Sequence, residues 1–256
     1  MPTRRMLTLL IACLATGRAA ADEPPTFDPT DHYRSQTIEG WTVRVSNRFE
    51  GEEPKLLADV LAELRRQLVA IKTAVPAPAI EDLRKVEIWA EVNDPLFPCM
   101  CYHPDERWLR AHGVNPRKTG HVELANARNF LSWTRHQPWM VMHELAHGYH
   151  DRFLTDGYAN TTIAGALAKG KGAGRYGEVD HVAGSKRQHY AATNPMEYFA
   201  EGSEAYFGKN DFYPFDRKQL REYDPELVPL LEELWRVERR TTNDGTTEQA
   251  EGHGKE

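Results

Sequence analysis

The stretch from Trp139 to Tyr149, which reads WMVMHELAHGY, carries the clearest pattern in the chain. Pro138 is a favourable first residue for a helix, and the apolar pattern predicts a helix from about Pro138 to Leu154. His143 and His147 are four positions apart, so in a helix their imidazoles project from the same face. Five neighbouring positions are apolar, which is typical of a helix that passes through a core: Met140, Val141, Met142, Leu145 and Ala146.

This spacing is the H-E-x-x-H pattern, in which two imidazoles can bind a single zinc ion. Glu144 directly follows the first histidine and lies beside the ion, where its carboxylate can take a proton from the attacking water. Zinc would lower the pKa of that water and polarise a scissile carbonyl. The alternative is an ordinary amphipathic helix. That interpretation leaves unexplained why charged and polar side chains interrupt the apolar positions, where an unpaired charge is costly.

A catalytic zinc site needs a third protein ligand and a fourth position that stays open to water. The longer H-E-x-x-H-x-x-G-x-x-H pattern does not supply it, because His150 replaces the glycine and Phe153 replaces the third histidine. A second predicted helix, about Pro195 to Gly208, carries Glu197 and Glu201 four positions apart on one face. One carboxylate can bind metal while the other accepts the ring N–H of a liganding histidine. A solvated charged face is the alternative for this pair.

Together, these motifs resemble those of the gluzincin peptidases, and among them the lethal-factor-like and Pro-Pro endopeptidase group. In that group H-E-x-x-H is followed, some tens of residues later, by Tyr, six residues, Glu, three residues and Glu. Tyr190, Glu197 and Glu201 fit this spacing, and the resemblance covers about residues 139–208. It implies that the zinc ligands are His143, His147 and Glu197. It also implies Glu144 as the general base and Tyr190 as the hydroxyl that faces the oxyanion, with Glu201 as a carboxylate behind the ligands.

The resemblance also implies an α+β zincin fold, with a small twisted sheet over the active-site helix and a helical C-terminal half that begins near Asn194. In that fold His121–Ala125, which alternates in polarity, would be the edge strand above the cleft, where an extended peptide can add as a strand. Nearer the N-terminus, Glu39-Gly40 predicts the turn of a hairpin over Thr37–Asn47. Asp156–His189 has no periodicity and many glycines, which predicts a long loop near the site.

Four further polar residues are weighed against simpler interpretations. His150 falls on the same helix face as the two motif histidines, but a capped or solvated side chain is the simpler interpretation. His181 is an alternative ligand or cleft residue, again against a surface loop, and His189 can point away from its neighbour Tyr190. Asp151, four residues after His147, can orient that imidazole.

Cys99 and Cys101 form a C-x-C pair close to His103. A disulfide across so short a loop would be strained and labile. A partial metal site is another possibility, but no fourth ligand occurs at zinc-site spacing. Two small residues in a proline-flanked loop is the favoured interpretation.

The ends of the chain differ from its middle. Arg4 and Arg5 precede the apolar run Met6–Ala15, and an A-x-A signal follows, so residues 1–21 are predicted to be a signal peptide. A lipid anchor on Cys13 is the alternative; the mature chain would begin at Asp22 in one case and at the modified cysteine in the other. Both routes export the protein, to the periplasm or the medium. Residues 22–239 are predicted to be one metallopeptidase domain and residues 240–256 a disordered polar tail.

The composition excludes several partners. A net charge of −6 over 256 residues, without a basic stripe, gives no reason to expect nucleic acid. No stretch is long and apolar enough for a transmembrane helix in the mature chain. We expect a monomer with Zn²⁺ as cofactor, acting on a peptide or protein substrate. The rival functions are a cell-envelope amidase acting on wall peptides and a non-catalytic zinc-bearing binding protein of the envelope.

Overall fold

The computed structural model describes residues 27–238. The predicted signal peptide, residues 1–21, lies outside the described residues, as does the predicted polar tail, residues 240–256. Within residues 27–238 no helix combines the length and the apolar character needed to cross a bilayer.

The described residues form an α+β structure, and this part of the sequence-based prediction is confirmed. The strands are β1 (Tyr33–Ile38), β2 (Trp41–Ser46), β3 (Ile88–Ala90), β4 (Met100–Tyr102), β5 (Val122–Leu124), β6 (Glu178–Asp180) and β7 (Lys186–Gln188). The helices are α1 (Arg48–Glu52), α2 (Pro54–Ala74), α3 (Ala77–Leu83), α4 (Glu106–Ala111), α5 (Ala127–Trp133), α6 (Met140–Phe153), α7 (Thr161–Gly172), α8 (Pro195–Phe207), α9 (Arg217–Tyr223) and α10 (Leu227–Leu234).

Five strands form one small mixed sheet in the order β1-β2-β3-β5-β4, while β6 and β7 form a separate antiparallel hairpin. β2, β3 and β5 run parallel, whereas β1 and β4 are antiparallel to their neighbours. The predicted hairpin is confirmed: β1 and β2 are joined at Glu39-Gly40, where φ is 52° and 100°. Two positive φ values are what a two-residue hairpin turn requires.

The edge of the sheet beside α6 is not the strand that the sequence suggested. β5 pairs with β3 on one side and with β4 on the other, so the prediction that His121–Ala125 forms the edge is wrong. The edge strand is β4, which packs against α6. The residues of β4, Met100, Cys101 and Tyr102, do not alternate between apolar and charged side chains, so the pattern by which a strand is recognised in a sequence is absent.

Tight packing holds α6 between the sheet and α8. A Cβ added at Gly148 would lie 3.1 Å from the side chains of both Tyr102 and Val86, so the glycine lets α6 approach the sheet. On the side of α8, the Trp235 indole stacks with Tyr149 of α6 at 4.1 Å between ring centroids. It also stacks with Phe199 of α8 at 5.5 Å. The polar faces of α6 and α8 are thereby brought together.

The stretch from Asp156 to His189, predicted to be a long loop, instead contains α7 and the β6–β7 hairpin. Asn160 caps α7 by accepting hydrogen bonds from the backbone N–H groups of Thr162 and Ile163. At Gly170 a Cβ would lie 2.9 Å from the Tyr176 ring, so this glycine permits close packing. After the β6–β7 hairpin, which ends at Gln188, all the remaining elements of the described residues are helices, in line with a helical C-terminal part that begins near Asn194.

The two cysteines in the described residues are free thiols. Cys101 lies in β4, so the interpretation of both cysteines as loop residues is wrong. Cys99 Sγ lies 3.4 Å from Met140 Sδ, whereas Cys101 Sγ lies 3.6 Å from His103 Nε2. The two thiols therefore face different neighbours.

Candidate metal centre

The two histidines of the H-E-x-x-H pattern project from one face of α6. Their Nε2 atoms are 3.1 Å apart, and the rings meet edge to face. The side chains are mostly buried, with 12% of His143 and 11% of His147 exposed. Two imidazole nitrogens this close together must share either a proton or a cation.

Glu197, in the first turn of α8, lies beside these two histidines. Asn194 caps this helix by accepting the Glu197 N–H at 2.9 Å, and Pro195 occupies the first helical position. The Oε2 atom of Glu197 lies 3.1 Å from His143 Nε2 and 3.3 Å from His147 Nε2. Three potential ligand atoms therefore converge on one point.

This convergence fits a small divalent cation. Nitrogen and oxygen ligands about 2.0–2.1 Å from a tetrahedral zinc ion are about 3.3 Å apart. The three distances among His143, His147 and Glu197 are 3.1, 3.1 and 3.3 Å. Two neutral imidazoles and one carboxylate are a donor set that zinc uses in catalytic sites, with a fourth position free for water.

The charges around these atoms also favour a cation. Burial opposes the charged form of His143, but hydrogen bonds with Glu197 and Glu204 outweigh it and raise the pKa of this imidazole well above its usual value. Burial likewise opposes ionisation of Glu197, but the neighbouring imidazoles outweigh it and lower the pKa of this carboxyl. The buried carboxylates thus require positive charge, which either imidazole protons or a divalent ion can supply.

Glu204, which the sequence analysis did not assign, is the nearest carboxylate to the outer nitrogen of His143. Its Oε1 atom lies 2.7 Å from His143 Nδ1, whereas Oε1 of Glu201 lies 3.7 Å away. Glu201 instead accepts a hydrogen bond from the Asn210 amide at 2.9 Å. Since Glu204 is seven residues after Glu197, and so on the same helix face, its spacing was the signal that could have revealed it.

The hydrogen bond to Glu204 predicts a measurable effect on metal affinity. Glu204→Gln removes the carboxyl group that can accept the Nδ1–H of His143, a candidate ligand, so we expect metal affinity to fall by about 10–100-fold. Glu201→Gln is the matched control, because that carboxylate is one helical turn away and beyond hydrogen-bonding distance of the ring. Competition titration with a chromogenic chelator measures both variants. Equal affinities in the two variants would contradict the role given to Glu204.

Glu144 and Tyr190 lie near these atoms, and the charges of Glu197, His143 and Glu144 all act on the Tyr190 hydroxyl. Glu144 is half-buried on α6. Tyr190 begins a short 3-10 helix, Tyr190–Ala192, and its ring centroid lies 6.4 Å from that of His143. Burial, followed by the charge of Glu197 and then that of Glu144, raises the pKa of Tyr190 to about 12. Its hydroxyl therefore keeps its proton at neutral pH and can donate a hydrogen bond.

Of the three other histidines weighed from the sequence, His150 and His189 are buried and His181 is half-buried, so the interpretation of His150 as a capped or solvated side chain is wrong. His150 packs against Tyr158 and Phe199, and burial lowers the pKa of its imidazole to about 4. His181 Nε2 lies 3.2 Å from Asp211 Oδ2, not at the three convergent atoms. His189 is buried, and its Nδ1 accepts the backbone N–H of Ala191.

Asp151 does not orient His147. Its Oδ2 atom accepts a hydrogen bond from the Tyr102 hydroxyl at 2.6 Å, which ties α6 to the edge strand β4. Among residues 27–238, Nδ1 of His147 has no hydrogen-bond partner. The prediction of an Asp151–His147 contact is therefore wrong.

Neither the family models, nor the curated proteins, nor the solved structures give a significant match to this chain. The assignment of a function therefore rests on the geometry and chemistry of its side chains.

Proposed function

We propose that this protein is a zinc-dependent endopeptidase of the gluzincin type, with a zincin fold. His143, His147 and Glu197 would hold the zinc ion, and Glu144 would act as the general base. The observation that carries the proposal is the convergence of three ligand atoms within 3.1–3.3 Å of one another. No feature of the described residues specifically favours either rival function, a binding protein or a wall amidase.

The chemistry divides among a few side chains. Zinc, when bound, would act as a Lewis acid that polarises the scissile carbonyl and lowers the pKa of water. Glu144 accepts the proton of the attacking water and later passes it to the leaving amine. Tyr190 keeps its proton at neutral pH, so its hydroxyl would donate a hydrogen bond to the oxyanion that develops on the carbonyl. Glu204 holds the His143 ring in one orientation through Nδ1.

The sheet edge beside α6 suits an extended substrate. β4 packs against α6 and, among the described residues, pairs with β5 along one side. Its other side has backbone groups that a peptide strand can use for hydrogen bonding. The role that the sequence analysis gave to His121–Ala125 therefore passes to Met100–Tyr102 in the proposal.

A peptide-library cleavage profile, with metal analysis of the same sample, tests this function. We expect internal cleavage of unmodified peptides that stops when a chelator removes the metal and resumes on addition of zinc. Stoichiometric zinc without cleavage of any peptide would instead indicate a binding protein. Activity confined to cross-linked wall peptides would indicate the amidase.

The Tyr190 hydroxyl has a prediction of its own. Tyr190→Phe keeps the ring and removes one oxyanion donor, so we expect kcat to fall by about 10²–10³-fold with KM nearly unchanged. Zinc content and the unfolding temperature serve as controls, because a packing role for Tyr190 would change those instead. A kcat close to that of the wild type would transfer the oxyanion role to another donor.

A further inference from the structure

A second group of metal-ligand side chains lies at the other face of the sheet. In β4, Tyr102 points towards Gly148 of α6, so the preceding residue, Cys101, points to the opposite face. Cys101 is the cross-strand partner of Glu123 in β5. His103, directly after β4, turns its ring towards both. The group joins the edge strand to the strand beside it.

The three potential ligand atoms of this group are close together. Cys101 Sγ lies 3.6 Å from His103 Nε2, which in turn lies 2.6 Å from Glu123 Oε2. All three atoms fall within 4.8 Å of one another. The side chains of His103 and Glu123 are 4% and 0% exposed, so water does not separate them.

The second oxygen of Glu123 is occupied. Lys118 Nζ donates to Glu123 Oε1 at 2.5 Å and to Glu91 Oε1 at 2.8 Å, and the Tyr33 hydroxyl also donates to Glu91. Lys118 is itself buried, so it and Glu91 compensate each other's charge. The other oxygen of Glu123, Oε2, is therefore the one that faces Cys101 and His103.

These distances are close to those of a metal site. A tetrahedral zinc ion with a thiolate at about 2.3 Å and an imidazole nitrogen at about 2.0–2.1 Å separates the two ligand atoms by about 3.6 Å. The Cys101–His103 distance is 3.6 Å. The shorter His103–Glu123 contact would have to widen by about 0.7 Å to admit an ion at tetrahedral zinc geometry.

We propose that Cys101, His103 and Glu123 form a second divalent-metal site that binds a thiophilic ion such as zinc. Sulfur, imidazole and carboxylate ligands suit zinc and its neighbours in the first transition series. Lys118 would remain hydrogen-bonded to Oε1 of Glu123, so that only Oε2 binds the metal. Hydrogen-bonded outer partners orient ligands in this way in other metal sites. The site shares no side chain with the centre on α6.

The charge of the buried group, with a neutral His103, is compatible with an ion of two positive charges. Glu91, Glu123 and a Cys101 thiolate carry three negative charges, and Lys118 carries one positive charge. A divalent ion brings the sum to zero, whereas a monovalent ion leaves one uncompensated buried charge, which is costly.

Cobalt substitution tests the proposal, because Co²⁺ bound to a thiolate gives a charge-transfer band in the near ultraviolet. The centre on α6 offers nitrogen and oxygen ligands, so this band reports sulfur ligation alone. We expect the metal-free full chain to bind about two Co²⁺ ions and to show the band. Cys101→Ser should lose the band and one ion.

Cys99→Ser is the matched control, because that thiol contacts Met140 and should leave the band unchanged. His147→Ala impairs the other centre and should also keep the band, which tests the site without altering any of its ligands. The proposal is overturned if the wild-type chain binds cobalt without the band. It is also overturned if the band survives in Cys101→Ser. None of these results depends on peptidase activity, so failure here is distinct from failure of the proposed function.

Discussion

Glu144→Gln is expected to lower kcat by about 10²–10⁴-fold while the metal content stays at the wild-type level. The amide has nearly the shape of the carboxylate but cannot accept and return a proton. Glu144 follows His143 on α6 and is not one of the three convergent side chains, so its replacement leaves the ligand set intact. The loss should therefore appear in kcat far more than in KM or in zinc occupancy.

Single-turnover assays on a cleaved library peptide, with metal analysis of the same preparation, measure this prediction. Glu106→Gln, an exposed change on α4, is a control for a carboxylate removed far from the centre. Substantial turnover by Glu144→Gln at full metal occupancy would rule out the general-base role. Loss of the metal in that variant would instead make Glu144 a ligand.

Removal of a proposed ligand should have the second large effect. We expect His147→Ala and Glu197→Ala to lose metal affinity by more than the about 10–100-fold that is typical of an outer partner. The physical reason is that each supplies one of three convergent atoms, and an ion held by the other two would complete its shell with water. Hydrolysis should fall to background in both variants.

His150→Ala is the matched control for the ligand variants. This histidine is also buried on α6, three residues after His147, but its ring packs against Tyr158 and Phe199. Its removal should lower the free energy of unfolding by leaving a cavity and should leave the metal content unchanged. Wild-type zinc affinity in Glu197→Ala would mean that the third ligand is another residue.

Several features of the protein could be predicted from the sequence because they depend on local chemistry. A four-residue spacing in a helix places His143 and His147 on one face, whatever surrounds them. Asn194 and Pro195 predict where α8 begins, and Glu39-Gly40 predicts a hairpin turn. In each case the determining residues lie within a few positions of one another, and the structure has the helix or the turn at the predicted place.

Other features depended on packing between distant segments. Glu201 and Glu204 both lie on the face of α8 that carries Glu197, and only the packing of α8 against α6 determines which carboxylate reaches His143. α7 contains several glycines and so lacks a recognisable helical pattern. It is nevertheless a helix, in which Gly170 lets the Tyr176 ring pack closely against the backbone. Propensity favours a loop there, and tertiary contacts override it.

The order of the strands is the clearest case of a feature that the sequence alone left open. β4 and β5 are separated by some twenty residues, and their pairing makes β4 the edge and brings Cys101 beside Glu123. A strand's own residues indicate that it is extended, but its partner is selected by long-range burial and hydrogen bonding. The placement of the histidine pair on one face of α6 was therefore determined locally. The edge strand and the Cys101–His103–Glu123 group were decided only when distant strands came together in the sheet.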